Sequence, residues 1–360
     1  MSALRVIPLV TLLLATAIAA AISTRTGVAQ NEPRPMKIIQ RLEHRAALQG
    51  IAWSASGAKL ATLSDFGQVI TVWDTRTWKR EREITQYSGA YVRSSIAFVH
   101  DNEILTSAGA KSNDERVYSL NLWDADTGAL IRRIPGPPIS PGDRRPNQAG
   151  TFVLSKSGSL LAMSFDHFSN KLVIFRTSDW ALQTVLNVTP SESSMGNVSA
   201  FAFSPSENEI AIGTGRELRL MDIQGNSIRS AIAYEKFGLL AGPVVVDLKY
   251  SPDGSCLATA PNFFSSQDSG AVRIWRSGDT ELLNKLSDAP NSIRMIDWSA
   301  DGAMLAAADE GNFGKVWAIG PSDKNARLAF QFPVEIAGAI KFGPEGKLAA
   351  TSGKTLLILE

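Results

Sequence analysis

A single cysteine, three histidines and a net charge of +1 in 360 residues exclude several kinds of function at the outset. With Cys256 alone, neither an intramolecular disulfide nor a cysteine-rich metal site can form. Cys256 lies in the apolar run Ser255-Cys256-Leu257-Ala258-Thr259, the setting of a small buried hydrophobe rather than a reactive thiol. His44, His100 and His167 fall in different stretches with no carboxylate at ligand spacing, so the sequence offers no metal cluster. The 36 basic and 35 acidic residues are interspersed. That excludes the concentrated basic field of a nucleic-acid or anionic-membrane surface. No Gly-x-Ser-x-Gly elbow occurs, and Gly213-Thr214-Gly215 lacks the third glycine of a nucleotide fingerprint. No catalytic group, metal or cofactor is therefore expected.

Long hydrophobic runs are also scarce. The exception is Val6 to Ile22, which carries no charge and follows Arg5. Small-x-small exits lie at Ala17-Ile18-Ala19 and Gly27-Val28-Ala29. Residues 1–29 thus read as a secretory signal peptide, and residues 30–35 as a linker. The alternative is an uncleaved anchor through residues 6–22, just long enough to span a bilayer. No cysteine follows for a lipoprotein anchor. The expected location is periplasmic or secreted, or the inner membrane if the segment is retained.

What the chain does contain is a repeat. Ser54-Ala55-Ser56-Gly57 is followed by Trp73-Asp74. The turn returns at Ser155-Lys156-Ser157-Gly158, Ser251-Pro252-Asp253-Gly254, Ser299-Ala300-Asp301-Gly302 and Gly343-Pro344-Glu345-Gly346. Its partner returns at Trp123-Asp124, Trp275-Arg276 and Trp317-Ala318. Aligned on these marks, six units span 50–84, 94–134, 150–186, 198–232, 245–286 and 293–332. Each holds four short strands separated by turns, the pattern of an all-β domain. A seventh unit supplies three strands near 339–342, 347–351 and 355–359. Met36 to Leu42 is a strand without a unit of its own, and pairing it with the last unit closes a ring without an open edge.

On these residues the chain resembles the WD-repeat β-propellers over residues 36–360, in an exported bacterial form. Trp73-Asp74 and Trp123-Asp124 match best, while Phe175-Arg176, Met221-Asp222 and Leu359-Glu360 stand in elsewhere. The resemblance implies one seven-bladed β-propeller of four-stranded antiparallel blades. It also implies a rigidifying quartet in the first blade alone, made by His44, Thr62, Trp73 and Asp65. Trp275, Trp317, Asp74 and Asp124 then belong to the repeat, as do the aromatics equivalent to Trp53.

The long connections fall on one face, the top, in propellers resembling this one. Recognition usually sits on elaborated loops of a rigid scaffold. Arg144 and Arg145 in a proline-stiffened loop suit carboxylates or phosphates. Phe263, Phe264, Phe168 and Phe313 are loop aromatics suited to anchoring a partner, and His167 lies beside Phe168. The leading expectation is a monomeric, non-catalytic scaffold that binds a protein or peptide through this face. The alternatives are a central-channel enzyme or small-ligand binder of lactonase or dehydrogenase type, and an envelope structural factor resembling the TolB-type propellers.

Overall fold

The strands follow from short alternating or wholly apolar runs, each stopped by a Ser, Gly, Asp or Asn turn. A computed structural model describes residues 36–86, 95–108, 119–135, 151–164, 170–188, 198–235, 243–262, 271–286, 292–310, 312–320, 325–335 and 338–360. β1 is Ile38–Glu43. The first blade comprises β2 (Leu48–Trp53), β3 (Lys59–Ser64), β4 (Val69–Asp74) and β5 (Lys79–Thr85). The second comprises β6 (Ile96–His100), β7 (Glu103–Ala108), β8 (Ser119–Asp124) and β9 (Leu130–Pro135). The third comprises β10 (Phe152–Leu154), β11 (Leu160–Ser164), β12 (Lys171–Arg176) and β13 (Ala181–Asn187). The fourth comprises β14 (Val198–Phe203), β15 (Glu209–Thr214), β16 (Glu217–Asp222) and β17 (Ser227–Ile232).

The fifth blade comprises β18 (Val244–Tyr250), β19 (Cys256–Asn262), β20 (Val272–Arg276) and β21 (Leu282–Leu286). The sixth comprises β22 (Ile293–Trp298), β23 (Met304–Asp309), β24 (Phe313–Ile319) and β25 (Ala326–Pro333). β26 (Ile340–Phe342), β27 (Leu348–Ser352) and β28 (Thr355–Leu359) come last. Six sheets run in sequence order, and the seventh runs β1-β28-β27-β26. The first strands of successive blades are neighbours all the way round, with β26 beside β2. The protein is a seven-bladed β-propeller, closed as the orphan N-terminal strand predicted.

Each blade is sandwiched between two others, so its middle strands bury both faces. β3 and β4 are buried over Leu60–Ser64 and Ile70–Trp73, whereas β5 alternates little and exposes Lys79 to Glu83. Those charges blunt the outer edge against pairing with another chain. The core is a set of layers between adjacent blades rather than one centre. Ala258 and Ile274 of blade five meet Ile296 and Leu305 of blade six. Across the closing seam, Leu356 and Ile358 meet Ile51 and Leu60. The aromatics equivalent to Trp53 join these layers, and two also donate across them. Trp53 Nε1 reaches the Lys341 carbonyl at 3.2 Å, and Trp298 Nε1 the Lys249 carbonyl at 3.2 Å.

The pairing of third and fourth strands slips at one place in six blades, just before Trp73, Trp123, Phe175, Met221, Trp275 and Trp317. Such a bulge bends the outer strand and increases twist.

Closure rests on β1, which runs antiparallel to β28 from Ile38 against Leu359 to Glu43 against Thr355. Lys37 and Glu360 exchange backbone bonds of 2.8 and 3.0 Å. Deleting residues 36–43 should therefore lower the thermal unfolding midpoint and produce dimers or aggregates by ultracentrifugation. A monomer with an unchanged midpoint would contradict closure by β1.

Candidate functional site

On the lower face, strands one and two of blades one, three, five and six are joined by the Ser-x-x-Gly turn. Its serine hydroxyl takes the amide at the start of the second strand: Lys59 to Ser54 at 3.1 Å, Cys256 to Ser251 at 3.0 Å and Met304 to Ser299 at 2.8 Å. Gly57 and Gly254 sit at φ of +74° and +75°, where a side chain is strained. Asp74 and Asp124 close the neighbouring lower turns. Asp74 accepts from the amide and hydroxyl of Thr77 at 2.6 and 2.7 Å, and Asp124 accepts from those of Thr127 at 2.7 and 2.9 Å. These bonds hold both carboxyls below the usual aspartate range. Each carboxylate is thereby engaged within its own turn.

Blades two and four lack the turn glycine, and both replace it with a clamp. Asp101 accepts the Ser56 amide of blade one at 2.8 Å. Glu207 holds φ at +60° and takes the Ser157 amide and hydroxyl and the Ser159 hydroxyl of blade three, the hydroxyls at 2.8 and 3.1 Å. Partial burial opposes the charge of Glu207, but these donors outweigh it and hold the carboxyl below the usual glutamate range.

Toward the upper face, His44, Gln86 and Ala233, each just past an outer strand, enter the gap before the next blade. His44 donates its amide to the Lys354 carbonyl, Gln86 to Gln68 and Ala233 to Arg216. In blade one, His44 Nε2 bonds Thr62 Oγ1 at 2.9 Å, and Trp73 Nε1 approaches the same oxygen at 3.4 Å. Burial lowers the His44 pKa, against the raising effect of the Leu42 carbonyl. Asp65 is not part of this set, because the second ring nitrogen, Nδ1, faces Leu42 O at 3.2 Å.

Nor is the arrangement confined to the first blade. Trp123 donates to Thr106 at 3.0 Å, with Gln86 in place of histidine, its Oε1 2.8 Å from the Thr106 hydroxyl. Trp275 donates to Thr259 at 3.0 Å, with the Tyr234 hydroxyl 3.1 Å from the same oxygen. In blade six the equivalent threonine is Ala307, and Trp317 Nε1 is buried without an acceptor.

The upper surface itself is only partly described. Arg144, Arg145, His167, Phe168, Phe263 and Phe264 lie outside the described residues. Phe313 is described and is the first residue of β24 rather than a loop residue, opposite Pro333. It is 38% exposed, and its amide bonds Asp309 at 2.9 Å. An aromatic that the sequence reading passed over stands out more. Phe66 is 73% exposed at the tip of the β3–β4 turn, with φ of +53° beside Asp65 at +52° and Gly67 at +83°. Left-handed backbone at a bulky residue is costly and concentrates at ligand-contacting positions. The signal was present in Asp65-Phe66-Gly67-Gln68, where a turn that favours Asn or Gly carries Phe.

Along the innermost strands, charge gathers in blades five to seven. Asp247 accepts the Ile296 amide at 2.9 Å and faces Lys249 at 2.5 Å. Asp297 accepts the Phe342 amide at 2.8 Å and faces Lys341 at 3.3 Å. Asp297 raises the Lys341 pKa against desolvation, and an ammonium held protonated is no amine nucleophile at neutral pH. Among the described residues no group of three or more His, Cys, Asp or Glu converges for a metal ion. Among them, too, no helix is long and apolar enough to cross a membrane, and residues 1–35 lie outside. No family model matches the chain, and no curated protein matches it.

Two outcomes follow. Trp317→Phe removes a donor that has no acceptor, whereas Trp123→Phe breaks a bond, so the second should cost about 1–3 kcal/mol more in urea unfolding. Glu207 has a depressed folded pKa, so its stabilisation is present above the unfolded value and is lost as pH falls through the folded one. The stability gap between wild type and Glu207→Gln should accordingly close in acid, as read from urea midpoints across pH.

Proposed function

We propose that this propeller is a WD-repeat-type scaffold, exported and monomeric, that binds a protein or peptide through its upper face and does no chemistry itself. The repeat marks and the Thr–Trp pairs support the WD-repeat assignment, and the N-terminal apolar run supports export. One observation carries the binding reading: Phe66, an exposed aromatic kept in a left-handed turn. Solvated, Phe66 gains nothing that offsets its backbone strain. Docked into a partner's pocket, a rigid aromatic of this kind is a typical energetic anchor. Phe313 adds a second exposed ring on the same face.

The Phe66→Asn variant separates binding from folding. Asparagine tolerates left-handed backbone, so the variant should be more stable by about 1 kcal/mol in denaturant unfolding. Against a partner identified by crosslinking in intact cells and then purified, it should bind roughly tenfold or more weakly, about 1.4 kcal/mol. Equal affinity for wild type and variant would remove the assignment of binding to this face.

A further inference from the structure

The position two residues before Trp73 and its equivalents points into the gap between blades, and in three successive blades it holds a cation, half-buried in blade four and buried in blades five and six. In blade four this is Arg219, which donates to Glu217 Oε2 at 2.9 and 3.1 Å. In blade six it is Lys315, with Nζ 3.0 Å from Asp309 Oδ2 and both side chains almost fully buried. Each cation is matched by an acid of its own blade. Blade five holds Arg273, 8% exposed. Its guanidinium lies 4.7 Å from the Tyr234 ring centroid, and Nη1 donates to the Ala233 carbonyl. Nε is buried and finds no acceptor. Where the neighbouring blades place their acids, blade five has Ala271 (equivalent to Glu217) and Pro261 (equivalent to Asp309). No carboxylate among the described residues pairs with Arg273.

A buried charge without a counter-charge is destabilising, and the planar edge formed by Nε and Nη2 matches a carboxylate in two parallel bonds. The position is at the upper end of β20, one residue into the strand, beside the Ala233–Tyr234 corner. We propose that the free edge of Arg273 is a carboxylate-binding site, completing from outside the ion pair that blades four and six complete from within. The carboxylate is either a small free acid or a group of a bound polypeptide. The inference does not rest on the partner-binding reading, because the stability of the free protein reports it.

The test is the thermal midpoint of the full chain in sodium acetate against sodium chloride at equal ionic strength and pH. It is repeated with a short peptide bearing a free C-terminal carboxylate and with its amidated form. Near saturation the midpoint should rise by roughly two degrees. A response to acetate identifies a small acid as sufficient, and a response to the free-acid peptide alone identifies a polypeptide source. Arg273→Met, which keeps the stem, should lose the response. Ala271→Glu, which copies blade four, should raise the midpoint in chloride and also lose the response.

No shift with any carboxylate, or an equal shift in Arg273→Met, overturns the proposal. An equal response to sulfate overturns the choice of carboxylate. If Ala271→Glu lowers the midpoint and keeps the response, Arg273 is not the site.

Discussion

Every blade depends on having a neighbour on both sides. The middle strands are apolar on both faces, so a blade standing alone would expose two hydrophobic surfaces, and a row of blades would expose one at each end. Only a ring buries them all. The pairing of β1 with β28 closes the ring through backbone hydrogen bonds, because the first strand and the last belong to one sheet. Leu356 and Ile358 pack against Ile51 and Leu60 only when that sheet is in place.

Between the apolar layers lie polar slots, and the blades fill them differently. Histidine, glutamine and tyrosine each reach a threonine that also accepts a tryptophan, in blades one, two and five. Blades four and six use an ion pair instead, and blade six leaves an indole without an acceptor. The lower turns show the same substitution of means. Where glycine is lost, Asp101 and Glu207 reach back to the preceding blade. The repeat is therefore held by a conserved geometry rather than by one set of residues, which is how its sequence marks can wear so far. Some exposed positions are required by no slot or layer, and Phe66 is the clearest of them.

The number of blades and the closing strand were legible because both are matters of period. Strand lengths repeat even where Trp-Asp has become Phe175-Arg176 or Met221-Asp222, and the Ser-x-x-Gly turn persists in the Phe175 blade. The slots were not legible from the same marks. Gln86 and Tyr234 lie just past an outer strand, where alternation has ended and nothing in the local pattern shows what they face. Arg273 reads as an inward position of a strand, but the acids missing from its blade become visible only against blades four and six. Phe66 was legible in principle, as a bulky residue in a turn that favours Asn or Gly. Its turn is short, however, and loop length is the usual mark of a contact site in a sequence. Of the loop residues suited to contact by sequence, Phe313 is a strand residue with an exposed ring, and Arg144, Arg145, His167, Phe168, Phe263 and Phe264 fall outside the described residues.

Closure of the ring is the claim on which the rest stands, and native-state hydrogen exchange addresses it directly. If β1 and β28 complete the core, their paired amides should open only with global unfolding, at the same free energy as the amides of β3 and β4. Exchange of the β1–β28 amides through local fraying, at a free energy well below that of β3 and β4, would contradict the account.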